Sequence, residues 1–261
     1  MSRAPQSDPA EEIRNYYTAL FRAWGAQHWW PAETQFEVIV GAYLTQNTAW
    51  TNVERALANL RRANLLSVEG IRAVRLSRLE RLIRPSGYFR QKAARLKTFV
   101  AFLDDKYESS LPKLFSQPTE KLRETLLSLN GIGPETADSI LLYAGNHPVF
   151  VVDAYTRRIL GRHAIAPENT DYEEIRHLFQ TSLEPIATEQ ERGTGAVREP
   201  LASGIGGAAH PPSAMSTAHR TALVQVYNEM HGLIVGAGKN YCRKSKPTCE
   251  QCPLQRFLPG K

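Results

Sequence analysis

Three groups of residues in this 261-residue chain have types and spacings that could do chemistry. The first is a glycine turn, Gly131-Ile132-Gly133, set between two stretches of helical periodicity. A G-x-G turn opening a helix presents bare backbone N–H groups at a helix N-terminus, where a phosphate can sit. The second is Asp153, twenty residues after Gly133, at the end of the short apolar run Val149 to Val152. A carboxylate ending a buried segment can orient or deprotonate water and stabilise a developing cation. The third is Cys242, Cys249 and Cys252, all within eleven residues. An odd, clustered set argues against a disulfide framework and for a metal or cluster site.

The elements that must position these groups read as helices. Leu122, Leu126 and Leu129 fall at i, i+4, i+7 before the turn, with Thr119 as the expected N-cap. Ala137, Ile140, Leu141 and Ala144 fall at i, i+3, i+4, i+7 after it. Further helical periodicity runs over 13–24, 36–44, 53–60, 72–83, 91–103, 155–161, 172–183 and 223–234. Residues 188–216 hold five glycines, three prolines and no aromatic residue, a composition that predicts a flexible insertion. No stretch alternates as a strand. The expected fold class is all-α, with two helical lobes flanking a cleft.

A net charge of +6 and a pI of about 9.3 favour a polyanionic partner. No apolar run approaches the roughly 20 residues of a membrane span, and the N-terminus lacks the apolar core of a signal peptide. The expected setting is therefore cytoplasmic, nucleoid-associated if bacterial, with no membrane partner.

Leu129 to Gly133 (L-N-G-I-G), Thr136-Ala137 and Val151-Val152-Asp153 together resemble the helix-hairpin-helix motif of the endonuclease III superfamily of DNA glycosylases, the helix-hairpin-helix-GPD superfamily. Phe36 to Thr48 is similar to that family's second helix and DNA-inserting loop, and Ser86 to Ala93 to its G-[LFY]-[YF]-x-x-K-A segment. Trp29-Trp30-Pro31, L-T-Q-N-T at 44–48, R-P-S-G-Y-F at 84–89 and His231-Gly232 look most like the 3-methyladenine DNA glycosylase branch, although a lysine of that branch is Leu233 here.

The resemblance implies a six-helix barrel-like domain at 34–147 carrying the hairpin. It implies a second helical domain made from 1–33 and 148–261, which includes a cysteine loop at 242–258. It makes Asp153 the catalytic carboxylate and Gln46 the side chain that fills the gap left by a flipped base. Gly131, Ile132 and Gly133 become the backbone grip on DNA, and Trp29, Trp30 and Trp50 the walls of the base pocket. The expected partner is double-stranded DNA containing a damaged base, bound by a monomer. Bifunctional members carry a lysine just before the Thr-Ala of the hairpin, and that amine forms a Schiff base with the sugar. Glu135 stands there instead and cannot form the imine. The expected enzyme is therefore monofunctional, hydrolysing the N-glycosidic bond of an alkylated purine.

The cysteines match three of the four ligands of the family's [4Fe–4S] loop, with Leu258 at the fourth position. A cluster with an incomplete cysteine set, a structural metal and a relic of a lost cluster are the open readings. A bifunctional enzyme acting on oxidised pyrimidines and a non-catalytic DNA-binding module are the rival functions. Plainer roles stand beside the sharp ones. Asp153 could be a helix cap, Glu135 a solvent-facing first-turn residue, Asp138 a structural acid, His231 a hydrogen-bonded core histidine, and the tryptophans part of the core.

Overall fold

A computed structural model of the chain describes residues 8–193 and 210–259. They are helical throughout, with no strand among the described residues, so the chain is all-α. It divides into two compact units, Ala32–His147 and a second formed from Met1–Pro31 with Pro148–Lys261.

The first unit is built around α2 (Gln35–Thr45), in which every residue from Phe36 to Leu44 is buried. A helix with so little polar surface belongs in the interior of its unit. Thr34 caps it, its hydroxyl accepting from the Glu37 N–H at 3.1 Å. The Glu37 carboxylate is paired with Arg61 and accepts from the Glu33 N–H. Around α2 pack α3 (Trp50–Arg62), which buries Val53, Ala56, Leu57 and Leu60, and α6 (Phe89–Tyr107), which buries Ala93, Leu96, Phe99 and Leu103.

The periodicity over 72–83 predicts one helix, but the structure has two, α4 (Val68–Ala73) and α5 (Leu76–Leu82). Val74 and Arg75 between them are extended. Lys97 from α6 donates to the carbonyls of Arg72 at 2.8 Å and of Val74, so the broken turn leaves those acceptors satisfied. After α7 (Leu111–Phe115) and α8 (Thr119–Leu127) comes α9 (Pro134–Ser139). It continues through one wide π-type turn, Ile140–Ala144, in which the Gly145 N–H reaches back to the Ile140 carbonyl. Eight helical segments stand where six are expected, because α4 parts from α5 and α7 is a separate short helix. Thr119 is not the cap of α8 but its first residue. Its hydroxyl is drawn instead to His147 Nδ1, at 2.9 Å.

In the second unit α12 (Ala222–Asn240) is the interior helix, buried from Val226 to Gly238 and capped by Thr221. Against it pack α10 (Ala154–Arg162), α11 (Tyr172–Glu191) and α1 (Pro9–Trp24). The apolar run Val149 to Val152 is fully buried without being a strand, and its Phe150 ring stacks on Phe179 with centroids 4.3 Å apart.

Two expectations need correction. The helix expected to end at Leu183 runs on through Pro185 to Glu191. An interior proline costs about 3 kcal/mol, which the longer packing surface against α1 and α12, including buried Ala187, offsets. The flexible insertion expected at 188–216 is structured at both ends. Residues 188–191 belong to α11, the His210 N–H donates to the Gln27 carbonyl at 3.1 Å, and Met215 and Ser216 are buried. Residues 194–209 lie outside the described residues.

Candidate active site and DNA-binding hairpin

The hairpin joins α8 to α9 through Ser128 to Gly133. Gly131 has φ +85°, a left-handed conformation that favours glycine. A Cβ there would also fall 2.0 Å from Arg95 Nε. Gly133 has an ordinary extended backbone and open space around it, and serves as the N-terminal boundary of α9 before Pro134. Ile132 is 6% exposed, so its side chain anchors the turn, and its N–H is spent within it on the Leu129 carbonyl at 3.1 Å. The N–H groups of Gly131 and Gly133 donate to no acceptor among the described residues. Of the three donors expected to grip a phosphate, two therefore stand open.

Two braces hold this geometry. Asp138 is fully buried and accepts from Arg123 through both oxygens, Nε to Oδ1 at 2.7 Å and Nη2 to Oδ2 at 3.2 Å, which ties α9 to α8. Its structural role is thereby settled. The second brace is Gln46, just after α2. Its Nε2 donates to the Gly131 carbonyl at 2.8 Å and to Thr136 Oγ1 at 3.0 Å, while its Oε1 accepts from Arg95 Nη1 at 2.9 Å. In this structure Gln46 is folded back onto the hairpin rather than extended. Arg95 and Arg123 are site residues that the sequence reading missed. Their signal was faint, since each is one arginine among many on helices with ordinary amphipathic patterns.

Lys92 adds a third connection. It is buried, and its ammonium donates to the carbonyls of Leu44 at 2.9 Å and Ser86 at 2.7 Å. The turn at 86–88 is thereby fastened to the end of α2. Burial, helped by the Arg95 charge, pushes the Lys92 amine down to about 8. Glu135 is exposed in the first turn of α9, where a negative charge suits the helix dipole. The only lysine between residues 119 and 144 is Lys121, exposed on α8.

In the second unit, Asp153 caps α10. Its Oδ1 accepts from the Thr156 N–H at 2.7 Å and from Thr156 Oγ1 at 2.9 Å, and its own N–H faces Thr156 Oγ1, completing a capping box. The plain reading of Asp153 as a cap is therefore correct for one oxygen. The other, Oδ2, lies 3.7 Å from His231 Nε2 on α12. The imidazole is 5% exposed, and burial pushes its pKa below the ordinary histidine value while the Asp153 charge pulls the other way. At neutral pH it is held as the uncharged ring.

Trp29 and Trp30, joined by a cis peptide, are 7% and 5% exposed. The Trp29 ring centre lies 5.7 Å from that of Trp30, 6.5 Å from that of His231 and 5.4 Å from that of His210. Gly232 explains how these rings reach α12, since a Cβ there would stand 3.0 Å from Trp29 Cβ and 3.2 Å from Gln27 Cβ. Glu229, two residues before His231, fastens the same segment by accepting from the Gln27 N–H at 2.9 Å. Trp50 belongs to the other unit, half-buried in the first turn of α3, with its Nε1 donating to Glu54 at 2.9 Å. Asp153, His231, Trp29 and Trp30 are thus gathered in one unit, and Gln46, Trp50 and the hairpin belong to the other.

Cys242 is buried and Cys249 and Cys252 are half-buried. Arg162 Nη1 donates to Cys242 Sγ at 3.2 Å, and Arg158 Nε to the Cys242 carbonyl at 2.6 Å. No three His, Cys, Asp or Glu side chains among the described residues are grouped to hold a metal ion. An all-cysteine [4Fe–4S] cluster needs four thiolates. Here Leu258 fills the fourth position, and a guanidinium already occupies the buried thiol. The donor set does not complete that all-cysteine cluster.

Residues 40–185 match the family model described as HhH-GPD superfamily base excision DNA repair protein. A Methanocaldococcus jannaschii protein, provisionally named as a DNA repair glycosylase, is 39% identical over 252 residues, covering 96% of this chain and 97% of that one. Endonuclease III of Thermotoga maritima is 26% identical over 220 residues, covering 84% and 80%. Among solved structures, the H. pylori 3-methyladenine DNA glycosylase MagIII bound to 1,N6-ethenoadenine superposes with a TM-score of 0.67 at 30% identity, covering 89% of this chain and 97% of that one. An endonuclease III–DNA complex superposes with a TM-score of 0.66 at 20% identity, which shows a shared fold. The matched residues run through the hairpin and Asp153, and the chain belongs to the HhH-GPD superfamily of base excision DNA repair proteins.

Proposed function

We propose that this DNA N-glycosylase is monofunctional and removes alkylated purine bases flipped out of double-stranded DNA, acting as a monomer. Glu135 is the observation that carries the proposal. At the position where a lyase amine would stand there is an exposed carboxylate, and the one lysine in the hairpin segment 119–144, Lys121, is exposed on α8. The likeness to MagIII over nearly the whole of both chains supports the purine substrate class.

The residues divide the work. The open N–H groups of Gly131 and Gly133 hold a phosphate of the damaged strand, which positions the DNA without reading its sequence. Flipping costs a few kcal/mol, and Gln46 leaves its brace to fill the vacated stack. Trp29 and Trp30 supply electron-rich faces to a cationic alkylated base, each worth roughly 0.5–2 kcal/mol. The positive charge weakens the glycosidic bond, so departure needs little acid assistance. Asp153 acts through Oδ2, because Oδ1 is committed to the cap. As the bond breaks, Oδ2 stabilises the oxocarbenium-like sugar and orients the water that attacks C1′. His231, 3.7 Å behind Oδ2, closes that side of the carboxylate with a neutral ring. The electron pair of the broken bond leaves with the base and cancels its charge, and the water passes its proton to Asp153 Oδ2 as the new C–O bond forms. The products are the free base and an abasic site with the strand intact.

A base-release assay on duplexes carrying one alkylated, oxidised or deaminated base tests the substrate class. Release of alkylated purines is expected. Borohydride trapping on the same duplexes tests the mechanism. No covalent adduct is expected, and an adduct would instead favour a bifunctional enzyme acting on oxidised pyrimidines. Duplex binding without release of any base would leave only a binding module. Metal analysis of the purified protein, with absorbance near 400 nm (about where thiolate–iron bands fall), is expected to show no cluster.

A further inference from the structure

The turn at 86–88, which Lys92 fastens to the start of the Gln46 loop, is the end of a row of arginines. Arg72, Arg75, Arg78, Arg81 and Arg84 recur at every third position along α4, α5 and the short 3-10 turn Arg84–Ser86. All five are exposed. Arg75, the N-cap of α5, and Arg78, Arg81 and Arg84 stand three apart along α5 and the turn that follows, so each neighbours the next on one helical surface, whereas Arg72 lies across the extended break at Val74. The intervening Leu79 and Ile83 are fully buried, which pins α5 and fixes the row toward solvent.

The arginines differ in how they are used. Arg72 is paired with Asp104 through two hydrogen bonds. In the same unit Arg61 pairs with Glu37, Arg95 with Gln46 and Arg123 with Asp138. Arg75, Arg78, Arg81 and Arg84 make no side-chain hydrogen bond, ion pair or ring contact among the described residues. The acid beside the row, Glu80, pairs with none of them. Four adjacent guanidinium groups held outward without counter-charge repel one another, a cost that a polyanion removes on binding.

We propose that Arg75, Arg78, Arg81 and Arg84 form a second DNA-backbone contact, separate from the hairpin, that holds the phosphates of the duplex leading away from the 86–88 turn. The proposal rests on the reading of the protein as a DNA glycosylase. Duplex DNA fits better than an acidic protein because the end of the row is tied to the Gln46 loop, in the unit that carries the hairpin. Duplex DNA carries about one negative charge per 1.7 Å of axis, so a chain of cations meets a phosphate at each step. Guanidinium groups suit phosphate oxygens, to which they donate in pairs. Such contacts supply affinity without sequence preference.

The salt dependence of binding reads the number of phosphates neutralised. Log Kd against log salt is measured for an undamaged duplex with wild type, with Arg78→Ala/Arg81→Ala/Arg84→Ala, and with a control triple of equal charge loss, Arg14→Ala/Arg22→Ala/Arg192→Ala. Each lost phosphate contact lowers the slope by about 0.9, so the row variant is expected to fall short of wild type by ~2.7 and the control to match wild type. Single-turnover base release at saturating enzyme is expected to be unchanged, since these residues do not touch the reacting sugar. Arg78, Arg81 and Arg84 are exposed, so their loss leaves the fold intact, which the melting temperature checks for both triples. An Arg78→Lys/Arg81→Lys/Arg84→Lys variant is expected to keep the slope. A row variant whose slope equals wild type, or a control that falls as far, overturns the proposal. Absence of salt-dependent duplex binding by wild type would instead overturn the glycosylase reading beneath it.

Discussion

In the hairpin unit, buried Asp138 is taken up by Arg123 through both oxygens, and Gln46 uses both ends of its amide. In the unit that holds Asp153, one carboxylate oxygen is bound twice and the other faces a buried imidazole 3.7 Å away. Glu229 in that unit is 4% exposed and accepts from the Gln27 N–H and the Gln225 amide, with the Arg220 charge acting on it without a hydrogen bond between them among the described residues. Under the proposed function, the contrast separates holding from reacting. A loop that must present backbone N–H groups in a fixed array benefits from neutralised, saturated braces. A carboxylate that must meet a developing cation benefits from an anchor on one side and an uncommitted oxygen on the other.

The comparison can be broken at several points, the largest effect first. Arg123→Ala strips the partner from a fully buried charge and is expected to cost about 3–5 kcal/mol of stability, read by denaturant unfolding. A cost below 1 kcal/mol would mean the hairpin does not depend on this brace. Glu229→Gln addresses the contrasting acid. Burial pushes the Glu229 carboxyl from 4.5 up to about 7. Between those values the folded chain holds a proton that the unfolded chain releases. Its stabilising contribution is thus complete below pH 4.5 and is lost as pH rises through 7, about 3 kcal/mol in all. The glutamine variant keeps an acceptor for the Gln27 N–H and is expected to show a flatter stability profile over that window than wild type.

Gly131→Ala and Gly133→Ala form a matched pair within the hairpin. The first demands a left-handed alanine, at about 1–2 kcal/mol, and displaces Arg95 from Gln46. The second meets open space. Duplex affinity is expected to drop about tenfold for Gly131→Ala and to change little for Gly133→Ala. Equal losses would remove the argument that the Arg95–Gln46 brace sets the turn. His231→Phe keeps the ring volume and is expected to slow base release about tenfold, or ~1.4 kcal/mol, with duplex affinity unchanged. His231→Asn, which restores a donor toward Oδ2, is expected to recover part of the rate. Full activity in His231→Phe would make the histidine a core residue only.

Much of this was legible before the fold was known. The helices around the hairpin follow from leucine and alanine spacings, and Gly131 and Asp153 from a turn and a run that end where they must. The break at Val74 was not legible, because its carbonyls are satisfied by Lys97, a residue on another helix. Helix α11 passing Pro185 was hidden for the same kind of reason, since tertiary packing overrides a local breaker. His231 was visible as a residue but not as the neighbour of Asp153. A distance across 78 positions of chain has no periodic signature. Gln46 was found by its loop, and its role as a brace came only with the position of Arg95.

The central claim is that Asp153, through its outer oxygen, is the group that acts on the sugar. Single-turnover base release by Asp153→Asn on a duplex carrying one alkylated purine tests it most directly, with duplex affinity measured beside it. Asparagine preserves the cap through its side-chain carbonyl and removes the charge from the Oδ2 side. The prediction is a fall of at least about a thousandfold in release with duplex affinity within about threefold of wild type. Release at the wild-type rate from a folded, DNA-binding Asp153→Asn would contradict it.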